Sequence, residues 1–272
     1  MDNTPHLPGN HTFDGSTLAV GVKRRSAQTR RNVAITLWLI GFMAFLVACV
    51  IVKFHPAPWP LDLQTTITLQ HLPLWPWLIP LIGWPSIAGN PIPAVIYPSV
   101  CFVVLSLIGV VVRLRDGSSI PWFVAAIFLF GTLVMFTLFF PIDFIVARPR
   151  PSSPLIHVFI LEPIPTFPSG HVVYAVVYYG FLLYLSLTKP VSQWRYRWLL
   201  IPFQLYAVLD ILLIGFSRVY KGSHWLTDVL GGYLLGALLL ALLIVLYRWT
   251  LDRMTKRHEK RLAEKSARSQ RA

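Results

Sequence analysis

Six apolar stretches govern what this chain can fold into: Val33–Val52, Val95–Val112, Pro121–Pro141, Val172–Thr188, Trp198–Phe216 and Leu226–Tyr247, each 17 to 22 residues long. About 20 such residues, at ~1.5 Å rise per residue, carry a helix across the hydrocarbon core of a bilayer. A soluble globule can enclose one helix of this kind, but six in 272 residues leave almost no polar surface for water. Charged residues make up only 13% of the chain, against about 25% in soluble domains. The expected fold class is therefore all-α, an integral-membrane bundle of six transmembrane helices, and both disorder and an ordinary cytosolic globule are excluded.

The charges that remain are lopsided, 24 Lys and Arg against 11 Asp and Glu, for a net +13. A surplus of this size suits nucleic acid, an anionic membrane surface or an acidic substrate, and its distribution decides among them. Nineteen of the 24 cations fall on alternate connections: Lys23, Arg24, Arg25, Arg30 and Arg31, then Arg113 and Arg115, then Lys189, Arg195 and Arg197, and nine beyond Tyr247. The other set holds only Lys53, Arg148, Arg150, Arg218 and Lys221. Cation-rich connections stay on the cytoplasmic side, so both termini are expected there and three connections outside. The surplus then marks topology and contact with anionic membrane lipids, and implies no nucleic-acid partner. The first span is followed by Phe54-His55-Pro56, without a small-residue cleavage site, and reads as a retained anchor in a multi-pass protein of the plasma membrane, if the chain is bacterial.

One membrane domain over 33–247 is the simplest partition, between basic cytoplasmic tails at 1–32 and 248–272, the second in the form of a basic helix on anionic lipid. Within it, the extracytoplasmic connector 54–94 is rich in Pro and Trp, as at a membrane–water interface. Leu61, Thr65, Thr68, Leu69 and Leu72 have the spacing of one face of a short amphipathic helix, which reads as a surface-lying or re-entrant connector, with a lipid-guiding lid as the alternative. Gly232 and Gly236 form a small-xxx-small pair suited to a close helix contact. Asp210 lies within the fifth span, either beside the site with Arg218 or protonated and bonded to a neighbouring helix. Cys49 and Cys101 sit in apolar spans, and no disulfide framework is expected.

Polar residues cluster at the outer ends of the spans: Arg148-Pro149-Arg150-Pro151, Pro168-Ser169-Gly170-His171, and Ser217-Arg218 with His224 and Asp228. A Pro-Ser-Gly helix entry leaves backbone N–H groups free and lets the backbone approach a ligand, which suits phosphate. Guanidiniums add bidentate donors for phosphate oxygens. His224 and Asp228, four apart, share a helix face if the sixth span begins near Gly222, so the carboxylate can fix one imidazole tautomer and leave the other nitrogen to attack. His171 supplies a second imidazole able to protonate a leaving group.

These clusters resemble the three signature motifs of the type 2 phosphatidic acid phosphatase family, K-x6-R-P, P-S-G-H and S-R-x5-H-x3-D. The second is matched in full by Pro168–His171, and the third by Ser217, Arg218, His224 and Asp228 with every spacing intact. The resemblance implies a core like that shared with the haloperoxidases, although six apolar spans exclude the soluble members. It implies attack on phosphorus by His224 to form a phosphohistidine, orientation by Asp228 and leaving-group protonation by His171. Arg150, Arg218 and the Ser169–Gly170 backbone are the implied phosphate ligands, with Arg148 as a further candidate. The implied reaction is metal-independent hydrolysis of a lipid phosphate or isoprenoid diphosphate at the extracytoplasmic face, with no cofactor. Independently, the sequence shows no His/Asp/Glu cluster at metal-ligand spacing.

The first motif departs from the pattern. Aligning on Arg150 places Asp143 at the lysine, and aligning on Arg148 places Pro141 there. A carboxylate repels phosphate, so Asp143 is expected to pair with Arg148 or Arg150, or another cation to fill the gap. Lys221, three residues before His224, is the candidate. The departure keeps open a lipid-phosphate-binding pseudo-enzyme. Six spans and an intramembrane carboxylate would also suit a lipid transporter, although no inverted repeat or pair of broken spans supports one.

Overall fold

A computed structural model of the chain describes residues 15–115, 117–138, 140–160 and 162–271, and among them there are helices and loops but no strand. The helices are α1 (Gly15–Phe54), α2 (Pro60–Gln70), α3 (Leu78–Ala88), α4 (Pro91–Leu114), α5 (Ile120–Leu138), α6 (Phe140–Val146), α7 (Gly170–Leu187), α8 (Ile201–Tyr220) and α9 (Leu226–Ser269). Six segments are long and apolar enough to span a bilayer: Gln28–Phe54, Pro91–Leu114, Ile120–Val146, Gly170–Leu187, Arg197–Tyr220 and Leu226–Ser269. Each overlaps one of the six apolar stretches. The chain is an integral, multi-pass, all-α membrane protein.

Helix continues into both regions read as tails, as expected of the second. Residues 15–32 belong to α1, because Ala, Gln, Lys and Arg are good helix formers and continue into the span without a breaker. Residues 1–14 of that expected tail lie outside the described residues. At the other end α9 carries the basic segment as helix to Ser269.

The chain forms two compact units, 1–43 and 44–272. The first is largely the front of α1, where Trp38 stacks on Phe42 at 5.3 Å between ring centroids. The second holds every residue of the candidate site. At its centre is α7, ten of whose 18 residues are buried, packed against α5, α8 and α9. The approach of α7 to α9 depends on missing side chains: a Cβ on Gly232 would lie 2.9 Å from the Ser169 carbonyl oxygen, and one on Gly236 would lie 2.8 Å from Val176 Cβ. The Gly232/Gly236 pair is thus the helix contact its spacing predicts.

The connector contains the short helix that its spacing predicts. In α2 the buried residues are Asp62 and Thr66, while Leu61 is 58% exposed and Leu72 39% exposed. The apolar stripe points outward, and the polar face turns in to meet partners on α8 and α9. A second connector helix, α3, tolerates Pro85 in its interior and packs against α8. Asp210 is buried and does not reach Arg218; it accepts from Tyr206 Oη at 3.4 Å, and Tyr206 in turn receives Trp84 Nε1 at 3.0 Å. Cys49 and Cys101 are both free.

Candidate active site

At the N-terminal end of α7 lies a cavity of about 600 Å3, walled by Ile87, Phe140, Ile160, Pro163, Ile164 and Pro165 and charged at one side. Of the nine residues proposed from sequence, it is lined by Arg150, Gly170, His171, Arg218, Lys221 and His224.

His224 is delivered by Gly222, whose φ of 62° turns the chain out of α8; a Cβ there would lie 2.5 Å from the His157 carbonyl oxygen. The Ser223 and His224 amides then donate to the Arg218 carbonyl at 3.1 and 3.3 Å, tying the turn to the helix end. The imidazole is 2% exposed. Its Nδ1 lies 2.9 Å from the Thr166 carbonyl oxygen and 2.9 Å from Thr166 Oγ1. A carbonyl only accepts, so Nδ1 carries the proton and Nε2 keeps its lone pair. Arg150 Nη1 lies 3.1 Å from that Nε2 and donates to it. Burial, and then the Arg218 and Arg150 guanidiniums, hold the His224 pKa well below the usual imidazole range. The ring is neutral, buried and presented to the cavity by one nitrogen.

Asp228 acts on this ring at one remove. Its Oδ2 is 3.9 Å from Nδ1, too long for a hydrogen bond, and Thr166 Oγ1 bridges the gap by donating to Oδ2 at 2.8 Å. The same oxygen accepts the Trp225 amide at 2.8 Å, closing the first turn of α9. Thr166 has no place in the motifs and no periodicity to mark it.

The two first-motif arginines diverge. Arg150 lines the cavity, donating to the Ile164 and Ser223 carbonyl oxygens at 2.8 Å each and pairing with Glu162 at 2.8 Å. Burial lowers its pKa while the Glu162, Asp228 and Asp143 carboxylates oppose the shift, and the group stays cationic. Arg148, expected among the phosphate ligands, instead lies beneath the site with no exposed surface, bonded to Asp228, to Asp62 at 2.8 Å and to Thr227 Oγ1 at 2.7 Å. Ala147, at φ 55° just past α6, makes the left-handed turn that sends it inward. Asp62 completes the network by accepting the Thr227 amide at 2.9 Å, so the connector is fastened to the start of α9 through buried charge.

Ser169 also departs from expectation. Its amide is taken by the Asp228 carbonyl at 3.1 Å, it does not line the cavity, and its hydroxyl is buried without a partner. The first-turn amides that lack intrahelical acceptors begin at Gly170. His171 Nε2 lies 3.4 Å from Asn90 Oδ1, and a Cβ on Gly89 would stand 2.7 Å from the His171 ring. Asp143 is buried in the cavity wall, pairs with neither arginine, and leaves Oδ1 without a partner. Lys221 does face the cavity, with Nζ donating to the Gly83 carbonyl at 3.3 Å; burial and Arg218 lower its pKa.

One further residue stands among the motif side chains. Glu162 pairs with both Arg150 and Arg218, and one of its oxygens lies with a ring nitrogen of His171 and one of His224 within a mutual 4.8 Å. Sequence spacing gave no hint of this trio, which the loop after Arg150 assembles. Three such donors match a metal's ligand types, but two guanidiniums already hold the carboxylate and would repel a dication. Neutral imidazole, oriented guanidiniums and open helix amides together suit an incoming oxyanion.

The sequence profile of the PAP2 superfamily matches residues 120–253, which include the two intact motifs and the altered first one. An undecaprenyl-diphosphatase from Sulfolobus acidocaldarius is 34% identical over 97 residues, 35% of this chain and 41% of that protein. Phosphatidylglycerophosphatase B of Bacillus subtilis is 37% identical over 100 residues, 35% of this chain and 43% of its own length. The chain therefore spans about two fifths of the length of these curated relatives. The crystal structure of a transmembrane PAP2-type phosphatidylglycerolphosphate phosphatase from Bacillus subtilis superposes with a TM-score of 0.54 over 77% of this chain and 94% of that one, at 21% identity, and shows a shared fold. In its motifs, its helical fold and the match across 120–253, the chain is similar to the PAP2 superfamily.

Proposed function

We propose that the protein is an integral-membrane phosphatase that removes the terminal phosphate from a lipid monoester or diphosphate at the extracytoplasmic face, through a phosphohistidine on His224. The observation that carries this reading is the state of His224: neutral, fixed at Nδ1 by Thr166, and presenting Nε2 to a cavity that also holds Arg150, Arg218 and His171. Nε2 attacks phosphorus as the phosphorus–oxygen bond to the leaving group breaks, and that oxygen takes a proton from His171. Water then attacks phosphorus, giving a proton back to His171; the phosphorus–nitrogen bond breaks and inorganic phosphate leaves. Asp228, acting through Thr166, balances the charge the ring acquires. Arg150, Arg218, the Gly170 amide and Lys221 take the phosphoryl oxygens, in a role that a metal ion fills elsewhere.

The cation asymmetry supports an outer-face site and cytoplasmic termini, with a membrane domain over 33–247 between basic ends. The apolar cavity wall supports a lipid substrate, and the relatives' names make undecaprenyl diphosphate and phosphatidylglycerol phosphate the first candidates, with phosphatidic acid beside them. The test is phosphate release from these lipids by detergent-purified protein with chelator present, alongside His224→Ala. Release that persists in chelator and vanishes in the variant, with an acid-labile phosphoenzyme trapped in the wild type, is the expected result. A second reading, lipid-phosphate binding without turnover, draws on Asp143 where the family motif has Lys; binding with no release would establish it instead.

A further inference from the structure

Glu162 lies outside the motifs, yet its carboxylate occupies the cationic end of the cavity. One oxygen pairs with Arg150 Nη2 at 2.8 Å and the other with Arg218 Nη2. With ring nitrogens of His171 and His224 inside the same 4.8 Å, this carboxylate stands where a phosphoryl group must sit for His224 to reach it. It fills that place incompletely. Both of its oxygens are committed, while Arg218 Nε is buried with no partner although the residue is only 1% exposed. The amide of Gly170, first in α7, also lacks an intrahelical acceptor. The site holds donors for a third oxygen that a carboxylate does not have.

Two properties of an incoming group decide whether it displaces Glu162. The first is charge: a monoanion replaces like with like, whereas a dianion gives the two guanidiniums more than they lose. The second is shape. A phosphodiester presents two non-bridging oxygens, as a carboxylate does, but a terminal phosphate presents three and reaches the remaining donors. Bulk phospholipids are diesters, and two arginines beside an open helix start would bind their headgroups if nothing stood in the way. We infer that Glu162 is a competing counter-ion, which holds the phosphate site against weakly bound monoanionic diester headgroups and yields it to the dianionic terminal phosphate of a monoester or diphosphate. The inference rests on the phosphatase reading for its substrate and on the site's donors for its binding chemistry. The cost of displacing Glu162 is common to every ligand, and it sets a threshold that a weakly held monoanion does not pass. Glu162, 21% exposed on the loop between α6 and α7, has solvent to swing into.

The test is equilibrium binding of inorganic phosphate and of dimethyl phosphate to the full chain in maltoside detergent, at about pH 8 where inorganic phosphate is mainly dianionic. In Glu162→Gln both ligands are expected to bind at least about tenfold more tightly than in wild type, because displacing Glu162 costs each of them the same, so that dimethyl phosphate occupies the site at concentrations where the wild type excludes it. Glu162→Ala, which leaves no amide in the cavity, should shift both affinities the same way. Unchanged dimethyl phosphate binding, or no binding of inorganic phosphate to any of the three proteins, overturns the inference. Phosphate release by the wild type is measured separately. Its absence refutes the phosphatase reading, while the affinity for dimethyl phosphate still decides the role of Glu162.

Discussion

Removing the Asp62 carboxylate should destabilise the protein more than any change at the cavity surface. Asp62 has no exposed surface, and it shares Arg148 with Asp228 in a site equally closed to solvent. In Asp62→Ala the guanidinium keeps one carboxylate of two, and the Thr227 amide and hydroxyl lose their acceptor. Breaking a buried ion pair from one side costs about 3–5 kcal/mol. The orphaned Thr227 amide belongs to the same loss, because contacts in one network do not add independently. At roughly 2 °C or more per kcal/mol for a chain of this size, the unfolding midpoint in detergent should fall by at least about 6 °C. Asp62→Asn keeps an acceptor for Thr227 and loses only the charge, so its midpoint should lie between the two. The assay is thermal unfolding at a fixed scan rate, because a membrane protein in detergent unfolds irreversibly and the midpoint depends on rate. A fall of less than about 2 °C for Asp62→Ala would refute the reasoning, since Arg148 would then be held by Asp228 alone and the connector would be fastened elsewhere.

Two further outcomes follow from the surroundings of His224. Thr166→Val removes the hydroxyl between Nδ1 and Asp228 but keeps the backbone carbonyl contact, so kcat for phosphate release should fall about tenfold to a hundredfold with KM little changed, as for loss of one hydrogen bond to a charged group. The attacking ring must be unprotonated, and its pKa is depressed by burial and by the Arg218 and Arg150 cations. Activity should therefore persist as pH falls through the ordinary imidazole range. Removing a neighbouring cation in Arg150→Gln raises that pKa, and the acid limb of the kcat/KM profile should move toward neutral pH; a limb that stays in place, or moves to lower pH, would contradict the assignment.

The spans and the two intact motifs were legible in the sequence because each depends on local regularity: run length for the helices, fixed spacing for Pro168–His171 and for Ser217 to Asp228. What escaped depends on contacts between distant segments. Asp62 meets Arg148 across 86 positions and Thr166 meets His224 across 58, and neither Asp62 nor Thr166 lies in a periodic pattern. Arg148 and Arg150 look equivalent in sequence, and only the left-handed turn at Ala147 and the acidic partners on α2 and α9 separate them. The spacing in α2 marked an apolar and a polar side, but an amphipathic stripe does not say which medium lies beyond it, and the burial of Asp62 and Thr66 follows from their partners on other segments. Glu162 is a single acid in a Pro-rich loop, and its place between two arginines follows from tertiary structure alone.

The direction in which the helices run has a consequence of its own. Asn90 and Pro91 at the start of α4 line the cavity with Gly170 at the start of α7, and His224 stands two residues before α9. The positive poles of three helix macrodipoles thus converge on one chamber, each equivalent to roughly half an elementary charge and worth about 0.3–1 kcal/mol to a nearby anion. The opposite pole of α8, which also ends here, is offset by Arg218 in its last turn. Part of the attraction for phosphate is therefore written into the peptide backbone, beyond the reach of side-chain substitution, and neutralising the guanidiniums one at a time should weaken anion binding without abolishing it.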